Sequence, residues 1–256
     1  MKKTSLCTRP ILRYNSHPMQ LYIQIAEAFL DHPGGVLSIH QLAMKLDLPY
    51  GTAYNRIHQL GQMGILNILR QGKAKLCSLN TLNSMAAPLL GLGAAQVVDR
   101  LFQSATPLAH LLGKVRGILE HWVYDPLQAS LILNFDHLRE LPLGAFVNEA
   151  SPHQIPGEEA NSLNPPTDVI VPIALFFIMG EERETPDLQR ALEALAPPGI
   201  QIRPTRMTVS PGTLLGMLKE RENEAGVAAY HMLRRGLPLT GFERFYSILL
   251  KAFSPT

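Results

Sequence analysis

Apolar residues in the first eighty positions recur at helical spacing three times and then fall into two short runs. From Pro18 the residues Leu21, Ile25, Ala28 and Phe29 share one face of a helix, which Pro33-Gly34-Gly35 ends. Ser38 has the character of an N-cap before Ile39, Leu42, Ala43 and Leu46, the inner face of a second, short helix. Asp47-Leu48-Pro49 is a tight connection. A third helix is predicted over 50–63, with Ala53, Ile57 and Leu60 inward and Gly64 as its stop. Two strands follow at 65–69 and 74–79, separated by the polar, glycine-containing turn Arg70-Gln71-Gly72-Lys73. The predicted order is three helices and then a hairpin, preceded by a patternless stretch over 1–17.

Beyond the hairpin the pattern changes. Residues 81–96 are rich in small side chains, including Ala86, Ala87, Gly91, Gly93, Ala94 and Ala95. They read as a linker or as the start of a close-packed helix. After Pro107, the residues Leu108, Leu111, Leu112, Val115, Ile118 and Leu119 hold helical spacing. Strands are predicted at 129–135, 169–178 and 201–209, the second of them buried. Helices are predicted at 187–195, 213–233 and 241–253, and a long loop rich in Pro, Asn, Ser and Gly at 142–166. The domains that follow are 1–82, a connection over 83–107, and 108–256. Strands separated by helices make the second domain a mixed α/β unit and the whole chain α+β. No internal repeat is visible.

Composition adds limits. Of the 256 residues, 46% are hydrophobic and 17% charged, which fits a globular chain. The net charge is +2, so any basic surface for a nucleic acid must be local. Cys7 and Cys77 stand far apart with no metal-ligand spacing around them, and are expected to be reduced thiols. The basic start at Lys2 and Lys3 has no apolar core behind it. The longest apolar run, 169–179, is broken by Pro172 and is shorter than the ~20 residues a membrane-crossing helix needs. The expectation is a soluble, cytoplasmic protein that does not contact a membrane.

The run from Leu37 through Leu60, continued by Gly64-Ile65-Leu66, resembles the winged helix-turn-helix of bacterial and archaeal transcription regulators, over about residues 18–80. The resemblance implies that the second helix braces the third, which lies in the major groove of double-stranded DNA with its inner face packed. The outer face would carry Tyr50, Thr52, Asn55, Arg56 and Gln59. Asn, Gln and Arg are the side chains that reach base edges bidentately. Arg70 and Lys73 in the wing turn, with Lys75 beside it, suit phosphate contacts. By composition alone that face is an ordinary solvated helix surface; helix order and the basic wing turn the reading toward DNA. His40 and His58 are expected at the surface and not as metal ligands.

The C-terminal half, about residues 108–253, resembles the nucleotidyltransferase fold shared by polymerase beta and the small antitoxin-type nucleotidyltransferases. In that family a strand ends in Gly-Ser and the next carries Ser-Asp-x-Asp, whose carboxylates hold magnesium ions. Here Leu131-Ile132-Leu133-Asn134-Phe135-Asp136-His137 occupies the first motif without Gly-Ser. Thr167-Asp168-Val169-Ile170-Val171 occupies the second, with Ile170 where the second carboxylate belongs. The stretches 199–204, 220–230 and 235–241 follow as a strand, a helix and a closing glycine-containing segment. One carboxylate cannot organise two metal ions, and Asp136 with His137 lacks a third partner for acid–base work. The expectation is a degenerate domain with no catalytic residues, no metal and no cofactor.

Together these readings describe a sequence-specific DNA-binding transcriptional regulator whose C-terminal domain serves dimerisation or sensing. A homodimer is expected, held by the small-residue stretch 85–95 or by the C-terminal domain. The alternative is a nucleotidyltransferase whose winged helix holds the substrate. A third reading is a winged helix used only for protein contacts.

Overall fold

The computed structural model describes residues 18–30, 33–104, 106–120, 127–140, 169–180, 186–195, 200–220 and 223–254. It is a mixed α and β structure with two separate sheets. The sequence readings for 1–17, for 142–166 and for Asp168 lie outside the described residues, as does Cys7.

The first helices are α1 (Pro18–Glu27), α2 (Ile39–Lys45) and α3 (Tyr50–Gln62). Ser38 closes a capping box on α2: its hydroxyl accepts from the Gln41 N–H, and the Gln41 side chain accepts from the Ser38 N–H at 2.8 Å. Asp47 turns the chain between α2 and α3 with φ of 50°, a left-handed conformation that Asp tolerates better than most residues. Met63 closes α3, and Gly64 follows with φ of 69°. Strands β2 (Leu66–Gln71) and β3 (Ala74–Leu79) form the expected hairpin, and Gly72 takes φ of 59° in its turn. A third strand, β1 (Val36–Ser38), adds to the expected elements. It pairs antiparallel with β3, giving the order β1-β3-β2.

The small-residue stretch forms the helix α4 (Ala86–Phe102), not a loose tether. Gly91 and Gly93 let it approach two neighbours. A Cβ on Gly91 would lie 2.9 Å from the Glu243 backbone nitrogen, and one on Gly93 would lie 3.2 Å from Glu27. An Arg100–Glu27 ion pair at 2.7 Å adds a polar tie between α4 and α1.

The remaining elements are α5 (Pro107–Glu120), β4 (Leu127–Ile132), α6 (Phe135–Glu140), β5 (Val169–Met179), α7 (Pro186–Glu193), β6 (Ile200–Val209), α8 (Pro211–Lys219), α9 (Glu224–Arg235), β7 (Leu237–Thr240) and α10 (Phe242–Phe253). The sheet order is β6-β5-β4-β7. Among the described strands β5 and β6 run parallel, and the other two pairs are antiparallel. Alternation along β5 separates two apolar layers. Val171, Ile173, Leu175 and Phe177 join a cluster with α5 and α7, whereas Phe176 and Ile178 join one with α8 and α10. The second cluster continues through α4 into Leu21, Phe29, Ile57 and Leu60, so one apolar core links the N-terminal helices and hairpin to the C-terminal sheet.

Two element readings are corrected and one strand is added. The strand expected over 129–135 ends at Ile132, and Phe135 opens α6. The single helical stretch expected over 213–233, and with it the helix placed over 220–230, is two helices: Asn223 caps α9 by accepting from the Gly226 N–H at 2.7 Å. The segment 237–240 is strand β7, which pairs with β4.

Candidate nucleic-acid interface

Helix α3 is amphipathic by spacing, and its packed side is tight. Ala53, Ile57 and Leu60 are fully buried in the core shared with α1, α2 and α4. At about 100° per residue, Asn55 stands about 170° from the centre of that buried row and Arg56 only about 65° from it. Burial agrees: Thr52, Asn55 and Gln59 are exposed, while Arg56 is half-buried and donates to Gln59 Oε1 at 2.9 Å. Arg56 therefore flanks the outer face and does not lie opposite the packed row. Tyr50, the first residue of α3, is exposed. Pro49 precedes it, and no side chain caps the first turn, whose free N–H groups and helix dipole favour an anion.

The β2–β3 hairpin sits beside α3. Arg70 and Lys73 are exposed, and Arg70 Nε donates to the Gly72 carbonyl at 3.3 Å across the turn. Lys75 behaves differently. It is half-buried, its Nζ donates to the Tyr54 hydroxyl, and it stands 4.4 Å from the Tyr54 ring centroid. The Tyr54 ring lies 4.3 Å from the His58 ring and 6.1 Å from Tyr50, an aromatic row at i, i+4 and i+8. His58 is accordingly not a surface residue: it is half-buried, and its Nε2 is buried without a hydrogen-bond partner among the described residues. His40 is exposed, as expected. Tyr54 is a site residue that the sequence reading missed, although its four-residue spacing from Tyr50 and His58 was legible.

Cys77 lies inside this sheet. Burial pushes its thiol up to about 12, and Sγ donates to the Leu37 carbonyl at 3.1 Å. It is a packing residue of the small sheet, buried in the cluster that also holds Ala53, Ile57 and Leu60.

In the C-terminal unit, Asn134 takes a structural place. Its Nδ2 donates to the Pro172 carbonyl at 2.8 Å and its Oδ1 accepts from the Ala174 N–H at 2.9 Å, tying the end of β4 to β5. Asp136 and His137 are exposed on α6. Ile170 is 44% exposed at the start of β5, so the buried strand expected there is open at that end. Among the described residues no group of three or more His, Cys, Asp or Glu side chains could hold a metal ion, and no helix is long and apolar enough to cross a membrane. A cavity of about 560 Å³ lies where α1 meets the C-terminal elements. Glu27 and Leu30 line it from the α1 side, and Asp136, Arg234, Arg235 and Tyr246 from the C-terminal side.

No family model matches this chain, nor does any curated protein or solved structure.

Proposed function

We propose that the chain is a sequence-specific, DNA-binding transcriptional regulator, with α3 as its reading helix and the β2–β3 hairpin as its wing. The observation that carries this reading is one juxtaposition. A row of exposed hydrogen-bonding side chains, Thr52, Asn55 and Gln59, lies on a helix whose other face is fully buried, next to a hairpin with exposed Arg70 and Lys73. Such a face offers donors and acceptors to base edges, and the turn offers charge to phosphates.

The test is binding of the purified chain to a library of DNA fragments, including its own upstream region, over a salt series. Asn55→Ala should weaken binding to a selected fragment by the equivalent of a lost base contact, about 1–3 kcal/mol. Arg56→Ala should weaken it too, with the fold intact. Wild-type affinity in both variants would sink the assignment of this face.

The C-terminal unit is proposed to serve sensing or dimerisation and to catalyse no metal-dependent phosphoryl transfer. The junction cavity supports sensing, because its wall includes α1 of the reading domain. Its volume falls within the range of small-molecule sites, about 300–1,000 Å³. The homodimer expectation shifts toward the C-terminal unit or the exposed side of α4 around Leu92, since Gly91 and Gly93 already pack against their own chain. The non-catalytic reading rests on Ile170 standing in place of a second carboxylate. Transfer of label from a nucleoside triphosphate that disappears in Asp168→Asn would overturn it.

A further inference from the structure

Three cations on the wing look equivalent along the chain, but the fold separates them. Arg70 and Lys75 face each other directly in the β2–β3 register. Like charges at opposed positions repel, so each gains by turning toward a different partner. Arg70 stays at the surface against the turn carbonyl of Gly72. Lys75 turns to α3, where it engages both the hydroxyl and the ring of Tyr54. The Tyr54 ring is itself held against His58. To meet a phosphate, Lys75 would have to leave both interactions, whereas Arg70 and Lys73 already stand in solvent.

The place of this contact matters. At the base of the wing, Ile68 packs on Gly61, where an added Cβ would lie 2.7 Å from Ile68 Cδ1. Lys75 lies further toward the turn, opposite Arg70, and Tyr54 lies two helical turns before Gly61. Pairing of β1 with Leu76–Ser78 and the Ile68–Gly61 contact hold the base, and the Lys75–Tyr54 contact adds a hold nearer the tip, where the hairpin runs beyond its β1 partner.

We propose that Lys75 and Tyr54 form a brace that sets the wing against the reading helix, and that Arg70 and Lys73 are the phosphate-gripping cations. Lys75 is then a positioning residue and not a DNA contact. This rests on the DNA-binding reading for its consequence, while the brace itself exists in the free protein.

Two measurements on the full chain test it. The first needs no DNA: amide hydrogen exchange of residues 70–75 in Tyr54→Phe, Lys75→Met and the double variant. The expected result is faster exchange in both single variants, with the double variant no faster than Lys75→Met. Unchanged exchange in Lys75→Met, or effects that simply add, overturns the brace.

The second measurement is the salt dependence of DNA binding. Each lost phosphate contact reduces the slope of log affinity against log salt by about 0.9. Arg70→Ala and Lys73→Ala should each show that loss. Lys75→Met should weaken binding by about tenfold with the slope unchanged, and Lys75→Arg should restore part of it by keeping a cation over the ring. A slope change in Lys75→Met equal to that of Lys73→Ala overturns the positioning role. If the unmodified chain binds no DNA, the DNA reading fails and the positioning role with it. The exchange experiment still decides the brace separately.

Discussion

The approach of α4 to α10 can be tested with one substitution placed at two sites. In a helix interior, Gly→Ala gains about 0.8–1 kcal/mol from reduced backbone freedom in the unfolded chain. Gly113 on α5 has no described residue within 4 Å of an added Cβ, so Gly113→Ala should realise that gain in full. Gly91 on α4 is different. A methyl there would lie 2.9 Å from the Glu243 nitrogen and 3.0 Å from its Cα, and both are backbone atoms of α10 that cannot swing aside. Overpacking of this kind costs about 1–3 kcal/mol. The steric term outweighs propensity, and Gly91→Ala should be destabilised by about 1 kcal/mol net. The two variants should therefore differ by about 2 kcal/mol, or about 4–8 °C in thermal midpoint for a chain of this size. Thermal and urea unfolding followed by circular dichroism would measure it. A Gly91→Ala variant as stabilised as Gly113→Ala would refute the close approach. A changed sedimentation mass with unchanged stability would instead place the small-residue face against a second copy.

Ser38→Ala removes the hydroxyl half of the α2 capping box and should cost about 1 kcal/mol, read as a lower urea midpoint. Equal midpoints would mean the cap is silent. Cys77, tested in a Cys7→Ser background, should resist a thiol reagent at pH 8 until urea is added, because burial pushes its pKa up to about 12 from an ordinary 9.0. The sign follows from that direction. The raised folded value means the buried neutral thiol contributes stability that is intact below pH 9.0 and is lost as pH rises toward about 12, so Cys77→Ala should flatten the alkaline fall in stability over that window. Prompt labelling of the folded protein would contradict both statements.

Elements whose signals are local were legible in the chain alone. The rows Leu21, Ile25, Phe29 and Ala53, Ile57, Leu60 are buried, and the Ser38 cap forms where its spacing from Gln41 placed it. The hairpin turns at Gly72, and α5 follows its apolar row from Pro107. Each depends on residues within about one or two helical turns of one another, so periodicity and capping suffice. The exposure of Thr52, Asn55 and Gln59 was legible for the same reason. Even the break before α9 had a local sign in Asn223, hidden by apolar residues that keep helical spacing on both sides of it.

Other features took shape only when distant segments packed together. β1 is three residues long and is a strand because Leu76, Cys77 and Ser78 lie alongside it; β7 depends on β4 in the same way. Nothing in the small-residue stretch told a linker from a helix until α1 and α10 were set against Gly93 and Gly91. Arg70 and Lys75 looked alike as hairpin cations, and what separates them is a tyrosine 21 residues before Lys75. These features rest on pairing and packing between distant segments, whose partners are chosen by how the whole core closes and not by the residues beside them in the chain.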